Sequence, residues 1–176
     1  AVILAHGDKN GLRIPPKIAP IQTVLIPIFR NLEQRQLVEE YIISIEIELK
    51  QLGVRYFIDW SDSSPGFKFN NWELKGVPVR MEIGPRDIES NKLIIARRDN
   101  SEKLSIARND ISDSLKTILD EIQNNLFKQA KVFRDQNTHD VENYNEFKDI
   151  IKKGGFVKCG WDGNQKTEQK IKEETK

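Results

Sequence analysis

The sequence is poor in several features that mark particular protein classes. It has one cysteine, Cys159, so it cannot form an internal disulfide and gives no sign of a secreted scaffold. Its apolar runs fall short of the roughly 20 residues that cross a bilayer, which predicts a protein without a membrane segment. The apolar start Ala1–Ala5 is too short for a signal peptide and lacks a basic leader. We therefore expect a cytoplasmic protein.

Charge is abundant but almost balanced. The chain has 28 Lys and Arg residues against 27 Asp and Glu residues, which gives a net charge of +1. Its 38% hydrophobic and 31% charged residues are typical of a globular domain. Residues 75–108 contain eight basic and five acidic residues. That small excess alone favours an ordinary solvated face over a nucleic-acid site.

The apolar pattern in the first half of the chain predicts an α/β fold. A strand over Gln22–Ile28, a helix over Glu33–Leu52 and a strand over Val54–Trp60 follow one another. This order indicates a parallel βαβ unit. The predicted buried face of the helix consists of Leu37, Val38, Tyr41, Ile42, Ile45, Leu49 and Leu52.

The next part of the chain alternates between helices and strands. A short helix is predicted to begin in the segment Ser61–Pro65 and to end at Lys75, because Gly76 follows. Three strands are predicted at Val79–Ile83, Lys92–Arg97 and Lys103–Ile106, and Gly84–Asp87 is predicted to be a turn. A long helix over Ile111–Arg134 is expected to bury Leu115, Ile118, Leu119, Ile122, Leu126 and Phe127.

The two ends of the sequence predict connections to further domains. Prolines 15, 16 and 20 favour an extended tether after the tail of a preceding domain. The C-terminal part predicts a helix at Tyr144–Lys153, a strand at Phe156–Cys159 and a helix at Thr167–Lys176. The last helix shows no stop signal, so we expect the natural protein to be longer.

The run Trp72–Asp87 is the most informative stretch. It combines a helix end, an alternating strand and two opposite charges after the strand, an arrangement that suits recognition of a polar surface. The run closely resembles a signature of prolyl-tRNA synthetase, a class II aminoacyl-tRNA synthetase family. The segments His6–Gln22, Ser64–Asn71 and Ile171–Thr175 resemble the same family, in the same order. The likeness is nearest to the archaeal/eukaryotic-like type, which carries an extra C-terminal domain.

The resemblance implies a fold and a division into domains. It implies the class II synthetase anticodon-binding domain, a mixed five-stranded sheet flanked by helices, followed by part of a small α+β domain. Residues 1–20 would be the end of the catalytic domain and a linker, and residues 21–110 the anticodon-binding domain. Residues 111–176 would be a connecting helix and the partial C-terminal domain.

The resemblance also implies a function. The full-length enzyme would be a homodimeric ligase of protein biosynthesis that joins proline to tRNA(Pro) with ATP and Mg²⁺. This fragment would bind the tRNA(Pro) anticodon, contain no catalytic residue and be inactive alone, with no cofactor of its own.

Six residues match the family's anticodon contacts: Phe69, Glu73, Arg80, Arg86, Asp87 and Lys103. The second and third anticodon bases of tRNA(Pro) are guanines, which proteins read by stacking and by hydrogen bonds to the base edges. We expect Phe69 to stack, the two carboxylates to accept, and the two arginines to donate. From spacing alone, Phe69 is more typical of a core residue and Glu73 with Arg80 of a surface ion pair.

Phosphate contacts are a further hypothesis for four basic residues near this run. They are Lys68, Lys75, Arg97 and Arg98. Such contacts give affinity that falls with salt but little base selectivity, and solvated side chains are an equally good interpretation.

Metal and acid–base sites are not indicated. In many relatives Cys-Gly begins a four-cysteine zinc site, but no second cysteine follows Cys159 here, so we expect no zinc and a partly buried structural thiol. His6 near Asp8, and His139 beside its acidic neighbour, have no evident nucleophile or metal-ligand partner nearby in the sequence.

Two alternatives stay open on the sequence. The same fold could serve protein contact or dimerisation without RNA, although a scaffold would not need Glu73, Arg80, Arg86 and Asp87 together. A dinucleotide-binding α/β domain is the other alternative, but Pro27–Asn31 lacks the glycines that such a loop needs.

Overall fold

The structure, a computed structural model, describes residues 1–175. The chain forms two compact units, Ala1–Phe127 and a smaller one that begins at Lys128. The larger unit contains α1 (Val2–His6), β1 (Thr23–Pro27), α2 (Leu32–Gln51), β2 (Tyr56–Ile58), α3 (Pro65–Leu74), β3 (Val79–Ile83), α4 (Pro85–Glu89), β4 (Lys92–Arg97), β5 (Lys103–Ala107) and the first part of α5 (Ile111–Gln136). The smaller unit adds β6 (Thr138–Asp140), α6 (Tyr144–Lys153), β7 (Phe156–Lys158) and α7 (Gln165–Glu174).

The five strands of the larger unit form one mixed sheet in the order β2-β1-β3-β4-β5. β1 pairs in parallel with β2 and β3, while β4 is antiparallel to β3 and to β5. The predicted α/β class, the βαβ unit and the mixed five-stranded sheet are therefore confirmed. β6 and β7 pair in parallel in a separate two-stranded sheet.

Local sequence signals set the limits of α3. The Ser64 side chain accepts a hydrogen bond from the Phe67 amide at the N-cap, and Pro65 occupies the first turn. Gly76, with φ of +73°, follows the C-cap Lys75. The left-handed backbone that ends the helix is one that glycine adopts without strain. The short helix begins and ends as predicted, within one residue.

The main core lies between one face of the sheet and helices α2 and α5. It contains the alternate residues Val79, Met81 and Ile83 of β3, each fully buried. The helical residues of this core are Val38, Ile42, Ile45, Leu49, Ile111, Leu115, Ile118, Leu119, Ile122 and Leu126. A smaller cluster on α3 and β1 joins Val24 and Ile26 to Trp72, with Val77 and the partly buried Phe69.

The predicted buried faces of the two long helices need correction. Leu37 of α2 is 43% exposed, its C-cap Leu52 is 39% exposed, and Phe127 of α5 is 67% exposed. α2 is apolar on much of its circumference, so packing on the sheet rather than composition decides which stripe is buried. Phe127 lies one position beyond Leu126 and is carried off the buried face.

Several local predictions were wrong or incomplete. Gly84–Asp87 is not a turn: Gly84 is the N-cap of the short helix α4, and the Asp87 carboxylate accepts from the Gly84 amide at 2.9 Å. α1 and β6 were not predicted from the sequence. The boundary expected at residue 110 stays a prediction about domains, whereas packing divides the chain inside α5.

The segment that was predicted to be a tether is packed against the larger unit. Ala19 is buried, and the Arg55 guanidinium donates to the Ala19 and Pro16 carbonyls at 2.8 and 2.9 Å. The Gln22 side chain also donates to the Pro16 carbonyl. Because prolines leave carbonyls without neighbouring amide donors, side chains from elsewhere satisfy them.

Candidate nucleic-acid interface

Asp59, just after β2, fixes the position of α3 on the sheet. Its carboxylate accepts from the Trp72 indole N–H at 2.7 Å and from the Ser61 hydroxyl at 2.6 Å, and its backbone carbonyl accepts from the Lys68 ammonium at 2.8 Å. Burial alone would raise the pKa of Asp59, but hydrogen bonds from Ser61 and Trp72 outweigh it and hold the pKa below its usual range. The face of α3 that carries Phe69 and Glu73 is thereby held in one orientation.

The strand register brings two cations onto one row of the sheet. Arg80 of β3 pairs with Ala96 of β4, which in turn pairs with Lys103 of β5. Paired residues lie on the same face, so Arg80 and Lys103 flank the small side chain of Ala96. The second row of this face contains Glu82, Ile94 and Ser105.

Phe69, Arg80, Glu82 and Lys103 form a contact cluster on this face. The Arg80 guanidinium carbon lies 4.3 Å from the centroid of the Phe69 ring, and the Lys103 ammonium lies 5.7 Å from it. Both cations also contact the Glu82 carboxylate, at 3.0 and 2.9 Å. A guanidinium lying over an aromatic ring suits an unstacked base, because RNA bases stack on arginine planes as well as on rings and need donors at their edges.

Glu73 lies at a small cleft beside this cluster. The cleft is lined by Val24, Trp72, Glu73, Val77, Arg80, Ala96, Arg97, Arg98, Ser101 and Lys103. The Asn10 amide donates to Glu73 Oε1 at 3.2 Å. The structure therefore brings together four of the six predicted contacts: Phe69, Glu73, Arg80 and Lys103.

The remaining two predicted contacts, Arg86 and Asp87, lie on α4 beyond the C-terminal end of β3. Arg86 is exposed, while the Asp87 carboxylate is used as the cap of its own helix. α4 packs against α2 and β4. Asp87 therefore has a structural task, and Arg86 is exposed near the end of β3.

Three of the four basic residues proposed as phosphate contacts are buried, which corrects the expectation that they lie at the surface. Lys68 donates to Asp59, Arg97 pairs with Asp99 and Glu121, and Arg98 pairs with Asp8. Burial of Arg97 would lower its pKa, but the hydrogen bonds and negative charges of Asp99 and Glu121 together outweigh burial, and the pKa is raised. These cations are neutralised inside the fold and do not suit phosphates, because a phosphate would have to displace their carboxylates or carbonyls.

Lys75 is the phosphate candidate that the structure leaves at the surface. It is exposed at the C-cap of α3, and its ammonium lies 4.2 Å from the centroid of the Trp72 ring. A cation over an indole keeps its charge accessible from the solvent side. The phosphate hypothesis therefore remains a prediction for this residue.

Two parts of the site were not among the contacts predicted from the sequence. Glu82 bridges Arg80 and Lys103, and the alternation of Arg80 and Glu82 along one strand was the signal for it. The residues from Asp8 to Asn10 approach Glu73 through Arg98 and Asn10. The partners in these contacts lie 25 to 90 positions apart in the sequence, and no local pattern marks such contacts.

Residues 1–175 contain neither a metal-binding cluster nor a membrane-spanning helix. Within that range the structure has no group of three or more His, Cys, Asp or Glu side chains placed to hold a metal ion, and no helix long and apolar enough to cross a membrane. Cys159 is exposed, which corrects the expectation of a partly buried thiol. Burial, more than the nearby Arg13, lowers the pKa of His6.

Comparison with known proteins gives a consistent result. The anticodon binding domain family matches residues 22–118. The proline–tRNA ligase of Bacteroides fragilis is 46% identical over 177 aligned residues, and that of Rubrobacter xylanophilus is 48% identical over 178. Both alignments cover all of this chain but 36% and 37% of the relatives. The chain thus spans little more than a third of the length of these ligases.

A solved structure supports the same relationship. The crystal structure of prolyl-tRNA synthetase from Cryptosporidium parvum, complexed with L-proline and AMP, matches with a TM-score of 0.89 at 36% sequence identity. The match covers 98% of this chain and 37% of that one. The likeness therefore extends beyond the family match, through residues on both sides of it.

Proposed function

The chain belongs to the anticodon binding domain family, and from that membership we propose that it recognises the anticodon of tRNA(Pro) as part of a proline–tRNA ligase. The observation that carries the proposal is the cluster of Phe69, Arg80, Glu82 and Lys103, with Glu73 at the adjoining cleft. Stacking surface, donors and an acceptor stand together on one side of the sheet. These are the groups that an unstacked guanine requires.

Each residue has a proposed task. Phe69 offers its ring, and Arg80 and Lys103 donate to the O6 and N7 acceptors of a guanine, while Glu73 accepts from the ring imino and amino groups. Glu82 holds the two cations 3.0 and 2.9 Å from its carboxylate and so limits their rotation before the base arrives. Arg86 and Asp87 at the end of β3 are proposed to serve the other guanine.

The activity of the whole protein is also a proposal. The named relatives are proline–tRNA ligases, and the Cryptosporidium parvum structure is complexed with L-proline and AMP. We propose that the full-length protein is a cytoplasmic homodimer that uses ATP and Mg²⁺ without zinc, and that residues 1–176 alone do not aminoacylate. Similarity over 98% of the chain to a eukaryotic enzyme favours the archaeal/eukaryotic-like type, which bacteria share.

Binding to anticodon stem-loop RNA tests the proposal. We expect the chain to prefer the tRNA(Pro) stem-loop, and to lose that preference when either anticodon guanine is replaced by adenine. Arg80→Ala should reduce the guanine preference by roughly 1–3 kcal/mol, because it removes a donor to the base edge. The measurement is the dissociation constant of each RNA at a fixed salt concentration.

A matched control separates base reading from general attraction. Lys75→Ala removes an exposed charge near the same helix and should weaken all RNAs alike, with a smaller dependence of affinity on salt. Equal binding of the tRNA(Pro) loop and an unrelated loop would reject anticodon recognition. It would favour the alternative in which the fold serves protein contact.

A further inference from the structure

Residues 8–14, here called the N-terminal strap, lie outside the matched residues 22–118 but pack on the end of α3. The Leu12 amide donates to the Leu74 carbonyl at 3.0 Å, and the Ile14 amide donates to the Gly76 carbonyl at 3.1 Å. Carbonyls at a helix C-terminus have no partner inside the helix, so the strap supplies donors where α3 lacks them. The strap is therefore bonded to the turn that carries Glu73.

Two glycines bring the strap and α3 into direct backbone contact. Gly11 has φ of +120°, and a Cβ atom there would lie 2.6 Å from the Leu74 Cα. Gly76 has φ of +73°, and its Cβ would lie 2.6 Å from the Leu12 carbonyl carbon. Both positions exclude a side chain by conformation and by space. The two backbones therefore approach more closely than side chains at these two positions would allow.

Arg98 joins the strap and α3 to the sheet. Two of its guanidinium nitrogens donate to the two Asp8 carboxylate oxygens at 2.7 and 2.9 Å, and its Nε donates to the Glu73 carbonyl at 3.0 Å. The Arg98 amide also donates to the Pro78 carbonyl. A bidentate arginine–carboxylate pair fixes direction as well as distance. The Arg98 side chain is 6% exposed and that of Asp8 30%, so the arginine end of this pair is buried and the carboxylate end is partly exposed.

Asn10 contacts the functional group of Glu73 itself. Its side-chain amide donates to Glu73 Oε1 at 3.2 Å, and the Asp8 carboxylate accepts from the Asn10 backbone amide at 2.8 Å. A carboxylate has acceptor positions on both oxygens, so the amide leaves room for a base. Glu73 is therefore held at its backbone by Arg98 and at its carboxylate by Asn10.

We infer that Asn10, supported by the Asp8–Arg98 pair, positions Glu73 and thereby contributes to its selectivity for guanine. The inference rests on the proposed anticodon function and adds a specificity role for a segment outside the matched domain. A rotating carboxylate accepts one hydrogen bond from several bases, whereas a fixed one faces the adjacent imino and amino groups of guanine.

Replacing one anticodon guanine at a time by inosine, which lacks the exocyclic amino group, tests the inference. We expect the wild-type chain to prefer guanine to inosine at one position, and Glu73→Gln to lose much of that preference. Asn10→Ala should lower the guanine-to-inosine ratio of affinities about three- to tenfold, the range for one hydrogen bond. Asn10→Asp should lower it further, because it replaces the donor with a second carboxylate.

Lys9→Ala is the matched control, since Lys9 is the exposed neighbour of Asn10 in the strap. Equal midpoints of thermal unfolding for the wild type and the Asn10→Ala variant would exclude a loss of fold as the cause. If the wild type prefers guanine and Asn10→Ala behaves like Lys9→Ala, the inference is wrong and the proposed function stands. If the wild type itself shows no preference between tRNA(Pro) and unrelated loops, the proposed function fails, and the inference fails with it.

Discussion

The two faces of strand β3 differ completely although their residues alternate along five positions. Val79, Met81 and Ile83 are fully buried against α2 and α5. Arg80 and Glu82, on the other face, contact Phe69 and Lys103 and keep 15% and 12% of their side chains exposed. One strand thus carries the core on one side and the candidate RNA contacts on the other. Stability and recognition can therefore be changed separately by neighbouring substitutions.

The same comparison extends to the arginines. Arg80 lies on the recognition face with a carboxylate partner from its own strand, while Arg97, at the end of β4, points to the α5 side. Arg97 is bound there by Asp99 and Glu121, and Asn125 donates to the same Asp99 carboxylate. A basic residue near the site is therefore not by itself a nucleic-acid contact. Whether it can contact nucleic acid depends on which group already pairs with its charged end.

The largest expected effect comes from breaking the Arg97 network. Arg97→Ala should lower the free energy of unfolding by about 3–5 kcal/mol, because it leaves the fully buried Asp99 carboxylate without its cation. Chemical denaturation measures the change. The guanine preference of the folded protein should persist. A variant with normal stability but a weaker salt dependence of RNA binding would instead restore the phosphate hypothesis for this residue.

A substitution on the core face of β3 gives the next largest effect. Met81→Ala should cost about 2–5 kcal/mol of stability through lost burial and the cavity it leaves. Folded protein should still prefer guanine, in contrast to Arg80→Ala next to it. Thermal unfolding compares the stabilities of the two variants. RNA binding, at a temperature where both are folded, compares their guanine preferences. A loss of preference in Met81→Ala at that temperature would show that the two faces are not independent.

The smallest of these effects is a pH dependence at the strap. The hydrogen bond from Arg98 holds the pKa of Asp8 at about 2, against an ordinary value of 3.8. Because the pKa of Asp8 is lower in the folded protein than in the unfolded chain, its ionised form stabilises the fold at pH values above the unfolded pKa. This stabilisation is present from neutral pH to about 4 and is lost as the pH falls towards 2. Solvent screening at the partly exposed Asp8 limits this stabilisation to at most about 2 kcal/mol.

The Asp8→Asn variant isolates this contribution. It should be less stable than the wild type at pH 7, and the difference should shrink as the wild-type carboxylate is protonated. NMR titration of Asp8 gives its pKa directly. A difference in stability that stays constant down to pH 2 would assign the effect to packing rather than to charge.

Local signals predicted the elements well where they were unambiguous. β3, β4 and α6 begin and end as predicted, since alternation or a clear cap and stop mark their limits. Gly84–Asp87 failed because a glycine–proline pair suits a turn and a helix start equally, and only the Asp87 cap distinguishes them. The predicted stripe of α2 was right for Val38, Ile42, Ile45 and Leu49. It was wrong at Leu37 and Leu52, because several faces of this helix are apolar.

The candidate site was partly predictable. The resemblance to the family supplied all six contacts, and the structure brings Phe69, Glu73, Arg80 and Lys103 to one cleft and its rim. The strap was missed as a contributor because its contacts with Glu73 and Arg98 span 63 and 90 positions. Such contacts form only when distant segments fold together, and the periodicity of the sequence does not reveal them.

The sequence by itself determined the class of fold, the alternation of β3 and the family, because these depend on the order and spacing of residue types along the chain. The tertiary structure decided which charges meet solvent. The sequence predicted exposed cations at Lys68, Arg97 and Arg98. In the structure they are buried and bonded to carboxylates and carbonyls. Arg80 and Lys103 keep their place beside Phe69 because the strand register puts them on one row. Charge is a property of a residue, but its availability depends on partners that only folding brings within reach.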